Sequence, residues 1–173
     1  MAKEKSLPIP NVSEAMIKKY SAGFFMLCAA VLSLAGCGEK ASLTLANGEQ
    51  QTLSDYRGQW LVVNYFAEWC APCLREMPLL NELSASESPQ VLAVSFDKLT
   101  EEQLAKLADR YDMAMPVVKS LSGDWPFDRP SALPTTMILD PKGNLVDSIQ
   151  GELEPDDLAR LKAAYWKKPS HKP

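Results

Sequence analysis

Cys70 and Cys73 stand three positions apart in Trp69-Cys70-Ala71-Pro72-Cys73. On one helical turn that spacing closes a small disulfide ring, so the chemistry it allows is reversible two-electron exchange with other thiols. Cys70 falls where a strand gives way to a helix, and there the helix dipole and free backbone donors favour a thiolate. It is therefore the attacking sulfur. Cys73, one turn deeper and less exposed, resolves the mixed disulfide formed with a substrate. Paired cysteines at this spacing are also common zinc ligands, but a closed site needs four. The chain has no second such pair, and its single histidine, His171, sits near the end. No metal site is expected. The same shortage leaves no Cys-His or Ser-His hydrolytic centre, and no glycine-rich phosphate loop is present, so no cofactor is expected.

The elements that must position this pair are read outward from it. Trp60 to Phe66 is an almost continuous apolar run of strand length, which suits a central strand buried on both faces. From Pro72 the apolar residues Leu74, Met77, Leu80 and Leu83 recur at helical spacing. Pro72 is tolerated in a first turn, whereas Pro78 removes a donor and should kink the helix. Glu76 lies one turn beyond Cys73. A carboxylate on that nearby surface could take the resolving thiol's proton if partial burial lifts its pKa; the alternative is a solvated helix glutamate. Upstream, alternating residues on either side of Asn47-Gly48 predict a hairpin over 42–53. Downstream come a second buried strand over 90–96 and a helix over 100–111 with Thr100 as N-cap and Leu104, Leu107 and Ala108 inward. The proline-rich stretch 112–134 reads as loop apart from a short strand at Val117-Val118. A strand over 135–139, a turn at Asp140-Pro141-Lys142-Gly143, a partner strand over 144–150 and a helix over 154–166 complete the domain. The order predicts an α/β domain with a mixed sheet covered on both faces.

Several of these segments carry a resemblance. Val63-Asn64-Tyr65-Phe66-Ala67-Glu68-Trp69-Cys70-Ala71-Pro72-Cys73 resembles the active-site segment of thioredoxins, and Leu74-Arg75-Glu76-Met77-Pro78 resembles its continuation in the TlpA and ResA branch. Leu133-Pro134-Thr135-Thr136 is similar to the family's cis-proline loop, and Asp140-Pro141-Lys142-Gly143-Asn144 to its late hairpin. The likeness spans roughly residues 41–166, about one domain. It implies the thioredoxin fold, a central mixed β-sheet flanked by helices with an N-terminal β-hairpin. It also implies that Pro134 is cis, sits against Cys70 and exposes the Leu133 backbone for strand-like pairing with substrate. Trp69, Ala71, Pro72 and Leu133 then form the substrate-binding surface, with Trp69 shielding rather than reacting. The acid matching Glu76 in that branch is implicated in proton handling. Asn64 departs from the buried aspartate of cytosolic thioredoxins; an amide cannot titrate, so Asn64 reads as a satisfied buried amide and the proton work falls to Glu76.

The N-terminus decides how many cysteines are free. Lys18 and Lys19 precede Tyr20 to Gly38, which contains no charge and includes Phe24, Phe25, Met26, Leu27, Val31, Leu32 and Leu34. This is a positive n-region followed by an apolar h-region. It ends in Leu34-Ala35-Gly36-Cys37, which resembles the lipobox of bacterial lipoproteins. The resemblance implies cleavage before Cys37, lipid on its sulfur and loss of Cys28, leaving Cys70 and Cys73 as the free pair. An uncleaved span is the competing reading, since a bilayer takes about 20 residues. The chain then divides into an N-terminal extension and signal peptide over 1–36, a tether over 37–41, a thioredoxin-like domain over 42–166 and a polar tail over 167–173. Met16 before Ile17-Lys18-Lys19 makes a more ordinary start than Met1, so deleting residues 2–15 should leave export unchanged; loss of membrane localisation would count against this. The lipoprotein resemblance also implies the outer rather than the inner membrane, since Gly38 stands where that family's inner-membrane members carry an aspartate.

Residues 1–36 carry four lysines against Glu4 and Glu14, a net +2, which leaves −6 of the total −4 on residues 37–173. An acidic domain argues against non-specific nucleic-acid binding. The expected partners are protein thiols and disulfides of the periplasm, and the Ala-Pro dipeptide without a histidine leans toward reduction. The family resemblance implies a membrane electron donor of the DsbD or CcdA type. A second reading is a copper metallochaperone using the reduced pair, separable by copper titration; a third, a peroxidase, lacks the threonine and arginine setting around Cys70. Met113 and Met115 read as core filling rather than soft ligands. The segment 123–130, with Trp125 and Phe127 among prolines, is either a partner-recognition surface or a loop folded back onto the domain.

Overall fold

The computed structural model describes residues 40–166. The leader, Cys28, Cys37 and His171 lie outside the described residues. Among the described residues, no helix is long and apolar enough to cross a membrane.

Among the described residues seven strands form one sheet: β1 (Ser42–Leu45), β2 (Gln50–Thr52), β3 (Leu61–Phe66), β4 (Gln90–Ser95), β5 (Val117–Ser122), β6 (Thr135–Leu139) and β7 (Leu145–Gln150), in the order β2-β1-β5-β4-β3-β6-β7. Among the described residues four α-helices are interleaved: α1 (Ala71–Arg75), α2 (Met77–Ser84), α3 (Glu101–Arg110) and α4 (Pro155–Tyr165). β3 runs parallel to β4, and β4 to β5, while β6 and β1 join antiparallel, so the sheet is mixed. All six residues of β3 are buried, as its apolar run predicts for a strand with neighbours on both sides and cover on both faces.

The winding determines where the helices go. β3, β4 and β5 are adjacent and step in one direction, so right-handed crossovers place α1–α2 and α3 on the same face. Their inward residues share one core: Cys73, Met77, Leu80 and Leu83 from α1–α2, and Leu104 and Leu107 from α3, meet Val62, Phe66, Val91, Ala93 and Ile138 of the sheet. Leu158 and Leu161 of α4 join the same cluster. The opposite face holds Leu43, Leu45, Leu61, Val63, Tyr65, Leu92, Val94 and Leu139, and no helix of the four contributes to it. It is covered by a 3-10 turn at Leu53–Tyr56 and by Leu121, Trp125, Phe127 and Leu133. Both faces are thus closed, but only one by α-helix.

Four sequence expectations need correction. Leu53 does not extend β2; Asp55 Oδ2 accepts from Thr52 N at 2.7 Å and turns the chain into the 3-10 segment. The kink expected at Pro78 is a full break, with Glu76 capping both α1 and α2. Leu74 is only half-buried, and the inward positions are Cys73, Glu76 and Met77. β5 runs six residues rather than two, because Leu121 and Ser122 pair with Leu43 and Ser42 of β1. The hairpin around Asn47-Gly48 is present, with Gly48 at φ +81°, a conformation that an L side chain rarely adopts. Met115 is buried and Met113 packs against the same core.

Candidate active site

β3 delivers the chain to Phe66, and four positions later Cys70 takes the N-cap position of α1, with Pro72 at its second position. Proline costs nothing there, since the first-turn N–H groups have no intrahelical partner. Cys70 and Cys73 are joined as a disulfide with their Cα atoms 5.3 Å apart, within the ordinary span of such a bond. Among the described residues, Cys70 Sγ accepts one hydrogen bond, from Cys73 N at 3.3 Å. Cys70 is 5% exposed and Cys73 not at all. The sequence reading has Cys70 open to solvent; the residue is instead buried. Trp69, by contrast, is 72% exposed and is not part of the core. Ala71 is exposed and Pro72 half-buried beside it.

Glu76 is the second focus. The backbone break at Glu76 turns its side chain into the core, where the residue is 1% exposed, so neither the surface position nor partial burial read from the sequence holds. Oε1 accepts from Asn64 Nδ2 at 2.7 Å and Oε2 from Leu153 N at 2.6 Å. Burial pushes the carboxyl up from 4.5 to about 7, against the pull of those two donors, while the neighbouring charge of Glu152 raises it further. The side chain of Asn64 lies on the same face of β3 as those of Val62 and Phe66, the helix-covered face, and it also donates to Thr136 Oγ1 at 3.0 Å. Thr136 is directly opposite Asn64 in the β3–β6 register. The amide is only half satisfied, since Asn64 Oδ1 is buried without a hydrogen-bond partner among the described residues. Thr136 and Leu153 escape a sequence reading as partners of this group because each is brought in from more than seventy positions away.

The Leu133–Pro134 peptide is cis, as is Ser88–Pro89. Pro134 is buried and opens β6; Leu133 is half-buried and packs against both cores. The segment 123–130 folds back onto the sheet: Trp125 Nε1 donates to Tyr65 Oη at 3.2 Å, and Trp125 meets Phe127 edge to face. Arg75 holds Glu152 with both its Nε and Nη2 donors at 2.5–3.1 Å, clasping the chain just ahead of Leu153.

The chain is similar to known proteins. The AhpC/TSA family matches residues 38–155. The chain is 33% identical over 129 residues to the thiol-disulfide oxidoreductase ResA of Geobacillus kaustophilus, covering 68% of this chain and 70% of that protein. It is 34% identical to the thioredoxin-like protein YneN of Bacillus subtilis, where the match takes in 61% of this chain and just under two thirds, 65%, of the relative. A crystal structure of a thiol:disulfide interchange protein of the thioredoxin family from Chlorobium tepidum superposes with a TM-score of 0.60 at 19% identity, over 75% of this chain and 96% of that one, and shows the same fold. With a family model matched over most of its length and a relative of 33% identity covered beyond two thirds, this chain belongs to the AhpC/TSA family, among its ResA-like thiol-disulfide oxidoreductases.

Proposed function

We propose that the protein reduces disulfides of exported proteins through Cys70 and Cys73, anchored to a membrane by lipid on Cys37. The observation that carries the catalytic part is the Cys70–Cys73 bond at the N-terminus of α1, with the buried carboxyl of Glu76 one turn further on. In the reduced enzyme, the Cys70 thiolate attacks a client disulfide, and the released client thiolate takes a proton. Cys73, deprotonated by Glu76, then attacks Cys70 Sγ, expels the second client thiol and closes the disulfide. Two electrons pass from the enzyme dithiol to the client disulfide, and Glu76 hands its proton to the leaving sulfur or to solvent. A carboxyl near pH 7 is matched to that task, because it both accepts and releases a proton under working conditions.

The reducing direction is supported by the Ala71-Pro72 dipeptide between the cysteines and by the absence of a histidine there. An enzyme reducing clients outside the cytoplasm must be recharged, and the partner we assign is a membrane dithiol protein of the DsbD or CcdA type. Trp69, Ala71, Pro72, Leu133 and Pro134 frame the approach to Cys70, Trp69 as an exposed apolar contact. The lipobox-like Leu34-Ala35-Gly36-Cys37 supports the anchor, facing the periplasm from the outer membrane. The test is Cys73→Ser: without the resolving sulfur, clients should remain covalently joined to Cys70 and be recoverable as reductant-sensitive adducts. Absence of adducts, with Cys70 free to react with a small disulfide, would remove protein disulfides from the substrate class.

A further inference from the structure

The face of the sheet away from α1 carries a cavity that the exchange chemistry does not use. It has a volume of about 520 Å³ and lies between the carboxyl ends of β3 and β4, the middle of β5 and the folded-back segment 123–130. That is within the range of pockets that take a ligand group. Its wall is aromatic: Trp125 and Phe127 meet at 5.7 Å between ring centroids, and Tyr65 and Phe96 at 6.1 Å, both edge to face. The open capacity of its polar groups is one-sided. Tyr65 is 2% exposed; its hydroxyl accepts from Trp125 Nε1, and its own proton has no acceptor among the described residues. Lys98 and Arg129 enter no ion pair among the described residues, although the Arg129 guanidinium lies 3.8 Å over the Phe96 ring and donates to Phe96 O. The third cation, Lys119, is held by Glu101, and the one lining carboxylate, Asp97, is turned to Glu68 N at 2.7 Å. A desolvated hydroxyl donor and two cations beside an apolar wall complement a large apolar side chain next to a carboxylate.

Two covalent neighbourhoods tie this cavity to the cysteines. Asp97 fixes the backbone of Glu68, two positions before Cys70. The segment carrying Trp125, Phe127 and Arg129 runs on directly into Leu133–Pro134. We infer that the cavity is an anchor site for client polypeptides, taking an aromatic residue with an acidic neighbour and so choosing which disulfides reach Cys70. This rests on the exchange reading above.

The test separates docking from exchange by using redox-inert peptides with serine in place of cysteine, titrated calorimetrically into the oxidised protein. A peptide containing Phe-Glu should bind about tenfold more tightly than one containing Ser-Ala. In Arg129→Glu, and in Lys98→Glu as a second surface variant, the Phe-Glu peptide should weaken severalfold and a Phe-Lys peptide should gain. Equal binding of the wild-type protein to all three peptides overturns the inference. So does a site that takes free phenylacetate while discriminating none of the peptides, since its occupant is then a small molecule. Failure of the exchange reading shows elsewhere, as absence of reaction between the reduced wild-type protein and a small aromatic disulfide, and leaves the peptide titration intact.

Discussion

Glu76 is a buried acid whose proton sits near neutrality, and that makes two measurable demands. The first concerns rate. If Glu76 must be ionised to take the Cys73 proton, the resolving step should rise with pH through about 7, and Glu76→Gln should slow it and erase that limb. Asn64→Ala removes a donor to the ionised form, so the inflection should move to higher pH, whereas a merely structural amide would change stability without moving it. The second concerns stability. Folded Glu76 keeps its proton to about pH 7, while the unfolded chain releases it near 4.5, so the folded state binds more protons between those values. Stability should therefore fall as pH rises across that window, by roughly 3 kcal/mol in all, and level off above it. Denaturant melts of the oxidised protein at several pH values check this, with Glu76→Gln giving the flat control. The cysteines and the acid are legible from spacing, because Cys70, Cys73 and Glu76 follow one another at three-residue intervals. Depth is not. One helical turn from Cys73 is compatible with surface or core, and what sends Glu76 inward is the break between α1 and α2 together with donors from β3 and from Leu153.

Elements whose burial follows a simple period are the ones that sequence reading places well. α3 has Leu104 and Leu107 inward, and its capping box, with Gln103 N donating to Thr100 Oγ1 at 3.2 Å, lies where Thr100 marks it. Two substitutions calibrate that helix in chemical melts: Leu104→Ala, at a fully buried site, should cost about 2–5 kcal/mol, and Thr100→Ala about 1 kcal/mol. β5 shows the opposite case. Lys119, Ser120 and Ser122 give no apolar alternation, and the outer half of the strand exists because β1, some eighty positions earlier, offers it a hydrogen-bonding edge. The loop 123–130 could be read from its aromatics as either exposed or folded back. The deciding contact, Trp125 on Tyr65, spans sixty positions and has no local signature.

At the scale of the whole molecule, the arrangement divides labour between the two faces of one sheet. The helical face holds the disulfide and its acid, and the other holds the aromatic cavity, with β3 supplying Asn64 to one and Tyr65 to the other by simple alternation. Attachment is a separate matter, which we propose is carried by lipid on Cys37. Cys37→Ser should release the protein from membranes into the soluble exported fraction with its reaction toward small disulfides intact, as fractionation and assay would show. A chain that stays in the membrane fraction after this change is held by its apolar segment rather than by lipid.

The contact between Glu76 and the backbone of Leu153 has one more consequence. It joins the proton-holding group to the residue that leads into the last helix, across a stretch of chain that includes the cis-proline loop and the final hairpin. An amide hydrogen pressed against a titrating oxygen is a natural spectroscopic probe. In a nitrogen–proton correlation spectrum of the oxidised protein, the Leu153 resonance should migrate with a midpoint near pH 7, and that migration should vanish in Glu76→Gln. The end of the chain thus carries a legible signal of the charge beneath the cysteines.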